Sequence, residues 1–403
     1  MVKLKSCIEG AGVAGALVVL TLTGCGGGSD SPKPSATPSK AVGAIYQPGD
    51  VSFGVLAPTS GEQEQRGQDL IDGAQLAIAD LNVRGGVNGH KAALVTYDDG
   101  CDAKTARERA VALKASEVAG ALGGICTSAA GAAARTLGSE LPFLVTSANA
   151  PSIVSARRTP TAFLTNGTPY QAALATAHWL AFQRAQRISV VTEDDRASKF
   201  LGAQLVKLAS PVPKPLSQQT VPAGVTDWDA YVKTALAGGP DVVYWAGSAA
   251  GGGALAAALK AAGYDGKFVA SAESASPEFL SAAGAGADGA FVIAPASPQY
   301  LPAATAWAKR FEARFKRAPG FDALQAYEGV RALAQAVTQS GKVDRARNSR
   351  QLAILDGSYK TLLGDDGLSF APDHTIKFDN NIALKINGGK FVVDNMLRSG
   401  AEG

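Results

Sequence analysis

From Val51 onward, short apolar runs alternate with longer stretches whose apolar residues recur at helical spacing. Val51–Leu56 reads as a buried strand, and Gln68–Val83 places Leu70, Ile71, Ala74, Leu76, Ala77, Ala79 and Leu81 on one helical face. Arg84–Gly89 supplies the C-cap and turn. Strands at Ala92–Tyr97, Gly120–Ile125, Pro142–Thr146 and Thr161–Leu164 then interleave with helices at Ala103–Glu117 and Ala129–Leu137. The pattern restarts with helices at Pro169–Gln183, Ser198–Leu208, Asp227–Leu236 (with Thr226 able to cap it) and Ala249–Ala262. Between these fall extended runs at Arg187–Val191, Gln218–Val221, Asp241–Ala246, Phe268–Ala272 and Phe291–Ala294. Helices at Leu301–Phe315, Phe321–Gln339 and near Asn348–Leu355 follow. A hairpin, Ile382–Ile386 and Lys390–Val393, turns at Asn387-Gly388-Gly389. The alternation predicts an α/β protein of two doubly wound units in tandem, and 403 residues suffice for two cores.

The candidate chemistry lies in Leu122–Pro151. A strand–helix–strand unit there makes its strands parallel, so Cys126-Thr127-Ser128 and Ser147-Ala148-Asn149-Ala150 leave the sheet on one edge. Ligands of open α/β sheets bind at that edge. Both loops are small and carry short polar side chains, and the first opens a helix whose unpaired N–H groups favour an anion. They suit a carboxylate.

The first residues read as a targeting segment. Lys3 and Lys5 precede a short apolar run, Gly12–Leu22, and Leu22-Thr23-Gly24-Cys25 fits a bacterial lipoprotein cleavage site. The run is shorter than the ~20 residues a membrane span needs. Residues 1–24 are expected to be removed, Cys25 to be lipidated, and the Gly/Ser/Pro-rich stretch to residue 49 to act as a linker at the cell envelope. Of the remaining cysteines, Cys101 and Cys126 read as a disulfide in an oxidising compartment, with free thiols as the alternative. A formal charge of +3 gives no basic patch for nucleic acid.

Gly54–Gly61 (GVLAPTSG), Asn82–Asp102, Ile125–Ser128 (ICTS), Thr226–Val232 (TDWDAYV) and Pro240–Gly247 (PDVVYWAG) together resemble the leucine/isoleucine/valine-binding proteins, type I solute-binding proteins of ABC importers. The resemblance spans nearly all of Val51–Val393. It implies the type I periplasmic binding protein fold, two Rossmann-like lobes joined by three crossovers near Thr165, Ala294 and Leu363. Lobe 1 is then 50–165 plus 295–362, and lobe 2 is 166–294 plus 363–403, with the late helices returning to lobe 1. In that family the ligand's α-carboxylate and α-amino groups are held by two lobe-1 loops, whose positions fall here on Thr127, Ser128, Ala148 and Asn149, and by a lobe-2 acid, which falls on Glu273. The Cys101–Cys126 pairing matches the family's disulfide. Three aromatic positions of the family are occupied here by Arg66, Ala197 and Ser248, which points to a polar, acidic or larger ligand side chain, or to another small carboxylate. The implied partners are an amino acid and membrane permease subunits, with a monomeric chain and no cofactor.

Two other classes compete. Catalysis finds little support, since His90, His178 and His374 are scattered and no nucleophile or P-loop motif is present. Gly284–Gly289 matches Gly-x-Gly-x-x-Gly but precedes a strand, so it reads as a loop. A ligand-sensing envelope lipoprotein without a transporter shares the same fold, and a purely structural lipoprotein is the third reading.

Overall fold

The computed structural model describes residues 49–356, 359–364 and 367–400. The expected signal peptide, Cys25 and nearly all of the linker lie outside them. Strand β1 (Val51–Ala57) is buried at every position, flanked by β2 (Ala92–Asp98) and β3 (Val118–Gly123). With β4 (Phe143–Val145) and β5 (Ala162–Leu164) they form a sheet of order β2-β1-β3-β4-β5, every pair parallel. Helices α1 (Glu64–Val83), α2 (Ala103–Ala115) and α3 (Thr127–Leu137) make its crossovers. Helices on both faces explain why these strands are continuously apolar.

The second sheet contains β6 (Arg187–Glu193), β7 (Lys214–Val221), β8 (Val242–Ala246), β9 (Lys267–Ala270) and β10 (Phe291–Pro295), all parallel. Helices α4 (Pro169–Phe182), α5 (Arg196–Ala209), α6 (Asp229–Leu236), α7 (Ala249–Ala261) and α8 (Pro277–Ala283) accompany it. An antiparallel hairpin, β11 (Phe378–Asn387) and β12 (Lys390–Gly400), extends the sheet beyond β10, for an order β12-β11-β10-β9-β8-β6-β7.

Helices α9 (Thr305–Phe315), α10 (Phe321–Ser340) and α11 (Arg345–Ala353) pack back on the first sheet's side. Gly73 of α1 approaches α10 so closely that a Cβ there would lie 2.0 Å from the Ala323 carbonyl oxygen. Arg66–Asp322 pairs α1 with α10, while Arg310 of α9 and Arg317, between α9 and α10, pair with Asp80, Asp69 and Asp72 of α1. In α11, Asn348 donates to the Ala119 carbonyl at 3.1 Å, fixing that helix to β3. The chain thus passes between the sheets after β5, after β10 and before β11. Polar side chains tie the passages together: Asn166 donates to the Ser147 carbonyl at 2.6 Å and Gln171 to that of Ile376 at 3.1 Å.

Several expectations are corrected. Helix α6 starts at Asp229 without a Thr226 cap, and the Asp227 carboxylate takes the Asp229 N–H at 3.1 Å instead. The stretch expected as helix from Leu301 begins with 3₁₀ turns around Pro298 and Pro302, and regular α-helix starts only at Thr305. The hairpin strands are 10 and 11 residues long, because backbone pairing resumes past a bulge at Asp394 and continues through Asn395 and Arg398. Helix α8 was not anticipated; its seven residues are too few to show a period.

Candidate functional site

On the first lobe, α3 opens directly after β3 with Cys126 at its N-cap and no side-chain cap. Thr127 and Ser128, the first two helical residues, are exposed. Unpaired N–H groups and two hydroxyls therefore share one helix end, where the macrodipole favours negative charge. The neighbouring loop carries Ala148, buried, and Asn149, half-buried. The Ala148 N–H already donates to the Gly124 carbonyl at 2.8 Å, so it fixes the loop, and its carbonyl is the group left for a ligand.

Three rim loops of this lobe are stitched together. The Asp98 carboxylate accepts the Thr59 N–H at 2.9 Å, the Ser60 hydroxyl at 3.0 Å and the Gly100 N–H at 2.9 Å. Burial opposes its charge, but these donors outweigh that and hold its pKa below the ordinary carboxylate value. The Cys101–Cys126 disulfide joins the turn after β2 to the N-cap of α3. Beside it Asp99 is buried, which pushes its carboxyl up to about 6; the Cys101 N–H offsets this in part and the Asp98 charge adds to it.

On the second lobe, Glu273 is exposed just past β9 and accepts the Ser271 hydroxyl at 2.9 Å. Ser271 also takes the Gly247 N–H at 3.4 Å, which links Glu273 to the loop after β8. Next in that loop, Ser248 caps α7 by accepting the Gly251 N–H at 3.2 Å. Its own hydroxyl and N–H donate to Glu193, at 2.9 and 2.8 Å. Ser248 is thus engaged within the protein on both counts. Ala197 is exposed in the first turn of α5, with its N–H held by Asp195 at 2.8 Å.

Arg66 departs furthest from expectation. Its guanidinium grips Asp322 at 2.8 and 3.1 Å, an ion pair between α1 and α10 within one lobe. Burial works against its charge, yet Asp322 more than compensates and raises its pKa. The structure therefore gathers Thr127, Ser128, Ala148 and Asn149 on one rim and Ala197, Ser248 and Glu273 on the other, with Arg66 committed to the scaffold. Sequence reasoning missed Glu193 and Asp98 as parts of these rims. An acid immediately after a buried strand was the available signal. A 690 Å³ surface cavity lined by Val51, His90, Ser116 and Arg345 contains none of the site residues. Among the described residues, no cluster of His, Cys, Asp and Glu suits a metal ion.

Comparison with known proteins identifies the family and the fold. An amino acid binding protein of Pseudomonas aeruginosa is 26% identical over 311 residues, 75% of this chain and 82% of its own. A leucine-, isoleucine-, valine-, threonine- and alanine-binding protein of the same organism is 25% identical over 320 residues, 79% of this chain and 85% of its own. A periplasmic ligand-binding protein of a branched-chain amino acid ABC transporter from Burkholderia xenovorans superposes with a TM-score of 0.76 at 15% identity, covering 86% of this chain and 95% of that one. The periplasmic binding protein family model matches residues 50–387, so the chain belongs to that family of solute-binding proteins and is not an enzyme.

Proposed function

We propose that the protein captures an amino acid between its lobes and delivers it to an ABC permease, held at the membrane by a lipid on Cys25. The observation that carries this reading is the polarity of the two rims. The first lobe offers an uncapped helix N-terminus with the hydroxyls of Thr127 and Ser128; the second offers the exposed carboxylate of Glu273. A ligand carboxylate belongs on the first and its ammonium on the second, with Asn149 and the Ala148 carbonyl as further polar contacts. Each charge-assisted bond is worth ~1.5–3 kcal/mol net, and three or four, less the cost of association, reach the ~8 kcal/mol of a micromolar complex. The names of the relatives support an amino acid as ligand. Family membership supports export, and the Leu22–Cys25 motif supports the anchor.

Calorimetric titration of residues 41–403, stripped of ligand by unfolding and refolding, tests the reading. One amino acid is expected to bind with micromolar affinity, and Glu273→Ala to weaken it at least ~10-fold. Folded protein that gives no heat with any amino acid would sink the proposal. Binding of carboxylates that lack an amine would remove Glu273 from its role.

A further inference from the structure

The two sheets share one strand order. β2-β1-β3-β4-β5 in the first corresponds to β7-β6-β8-β9-β10 in the second, so the order reverses at β1/β3 and again at β6/β8. Such reversals open the crevices in which α/β sheets take their ligands. Helices α3 and α7 follow the equivalent strands, β3 and β8. The N-terminus of α3 is open, with Cys126 making no cap and two exposed hydroxyls beside it. At α7 the corresponding end is capped by the Ser248 hydroxyl, which accepts the Gly251 N–H, and a carboxylate stands behind that cap. Glu193, 9% exposed, sets its two carboxylate oxygens on the Ser248 N–H and hydroxyl. Among the described residues it has no ion-pair partner. Trp245 braces this arrangement by donating its indole N–H to the Ser248 carbonyl at 3.1 Å.

We propose that Glu193 is a specificity-determining residue: it occupies the second lobe's anion position with the protein's own carboxylate and so excludes ligands with a second negative charge. The inference rests on the amino-acid reading above. A helix N-terminus carries about half a positive charge, which one carboxylate more than satisfies. With the ligand's ammonium on Glu273, a second carboxylate approaching the same rim still meets the uncompensated part of the Glu193 charge. The cations within reach are few: Lys199, in the first turn of α5, is held by Asp194 at 2.6 Å, Arg196 beside it is exposed to solvent, and Arg66 is spent on Asp322 in the other lobe. An uncharged side chain meets no such repulsion. Exclusion by a repulsive group is a recognised route to specificity.

The test is the ratio of two affinities, for the neutral amino acid that the protein binds and for aspartate or glutamate. Wild-type protein is expected to favour the neutral ligand at least ~100-fold, and Glu193→Gln to shrink that ratio at least ~10-fold. Glu193→Asp, which keeps the charge, is expected to keep the ratio. If the Gln variant fails to fold by circular dichroism, Glu193→Ala takes its place with the same expected narrowing. An unchanged ratio in a variant that still binds the neutral ligand overturns the inference and leaves the amino-acid reading standing. Equal affinities in the wild type overturn it too. Absence of binding to every amino acid overturns the reading and the inference together.

Discussion

Arg66 keeps half of its side chain in solvent while Asp322, its partner, is 6% exposed. Removing the cation leaves a buried carboxylate with less support, so the cost falls on the fold. Arg66→Gln is expected to lower stability by ~1–2 kcal/mol, a range reduced for the solvent screening of the guanidinium, with ligand affinity changed less than about twofold. Denaturant unfolding beside calorimetry checks both halves; a large affinity loss without a stability loss would return Arg66 to the ligand. The residue illustrates what the sequence can show. Thr127 and Ser128 are legible because they follow a strand closely, and local order puts them on the rim; Glu273, which also follows a strand, was singled out by the family resemblance. The partners of Arg66 and Glu193 were not, since Asp322 is 256 residues from Arg66 and Ser248 is 55 from Glu193. Such pairings depend on which elements become neighbours, and no window of sequence contains that.

Among elements, α1 and α10 show how a close approach is encoded. Gly73 lies where a methyl group would collide with the Ala323 carbonyl, and the Arg66–Asp322 pair, with Arg317 just ahead of α10 on Asp69 and Asp72, holds the helices in register. Gly73→Ala is expected to destabilise by ~1–3 kcal/mol, although alanine is the better helix former, because backbone cannot yield as a side chain can. A gain of stability in urea unfolding would contradict the packing described. The parallel strands were legible from their unbroken apolar runs. The attachment of α10 and α11 to the first sheet was not, because a helix's period tells which face is buried and not against what. Here the family resemblance supplied what periodicity lacked.

For the molecule as a whole, the passages between the sheets carry polar groups into the interior. Asp379 is buried there at the start of β11, with Asn381 donating to it at 2.9 Å. Burial pushes its carboxyl up to about 6, which the Asn381 side chain and Asn380 N–H offset only in part. The unfolded chain releases this proton near pH 4 and the folded chain near pH 6. Stability therefore falls as pH rises through that window and levels off above it; Asp99 acts with the same sign. Asp379→Asn is expected to gain up to ~3 kcal/mol over wild type at pH 8 and nothing at pH 3.5, read from thermal unfolding at the two pH values. An equal gain at both would show that titration is not the cause. The stitching of the first lobe's rim has a consequence in time. Asp98 and the disulfide hold three loops in one arrangement, so the ligand proposed for this rim would have little to organise there. Arrival then depends on diffusion and is nearly alike for every ligand that fits. If the ligand is held between the lobes as proposed, its departure waits on their parting, and residence time becomes the quantity on which ligands are ranked.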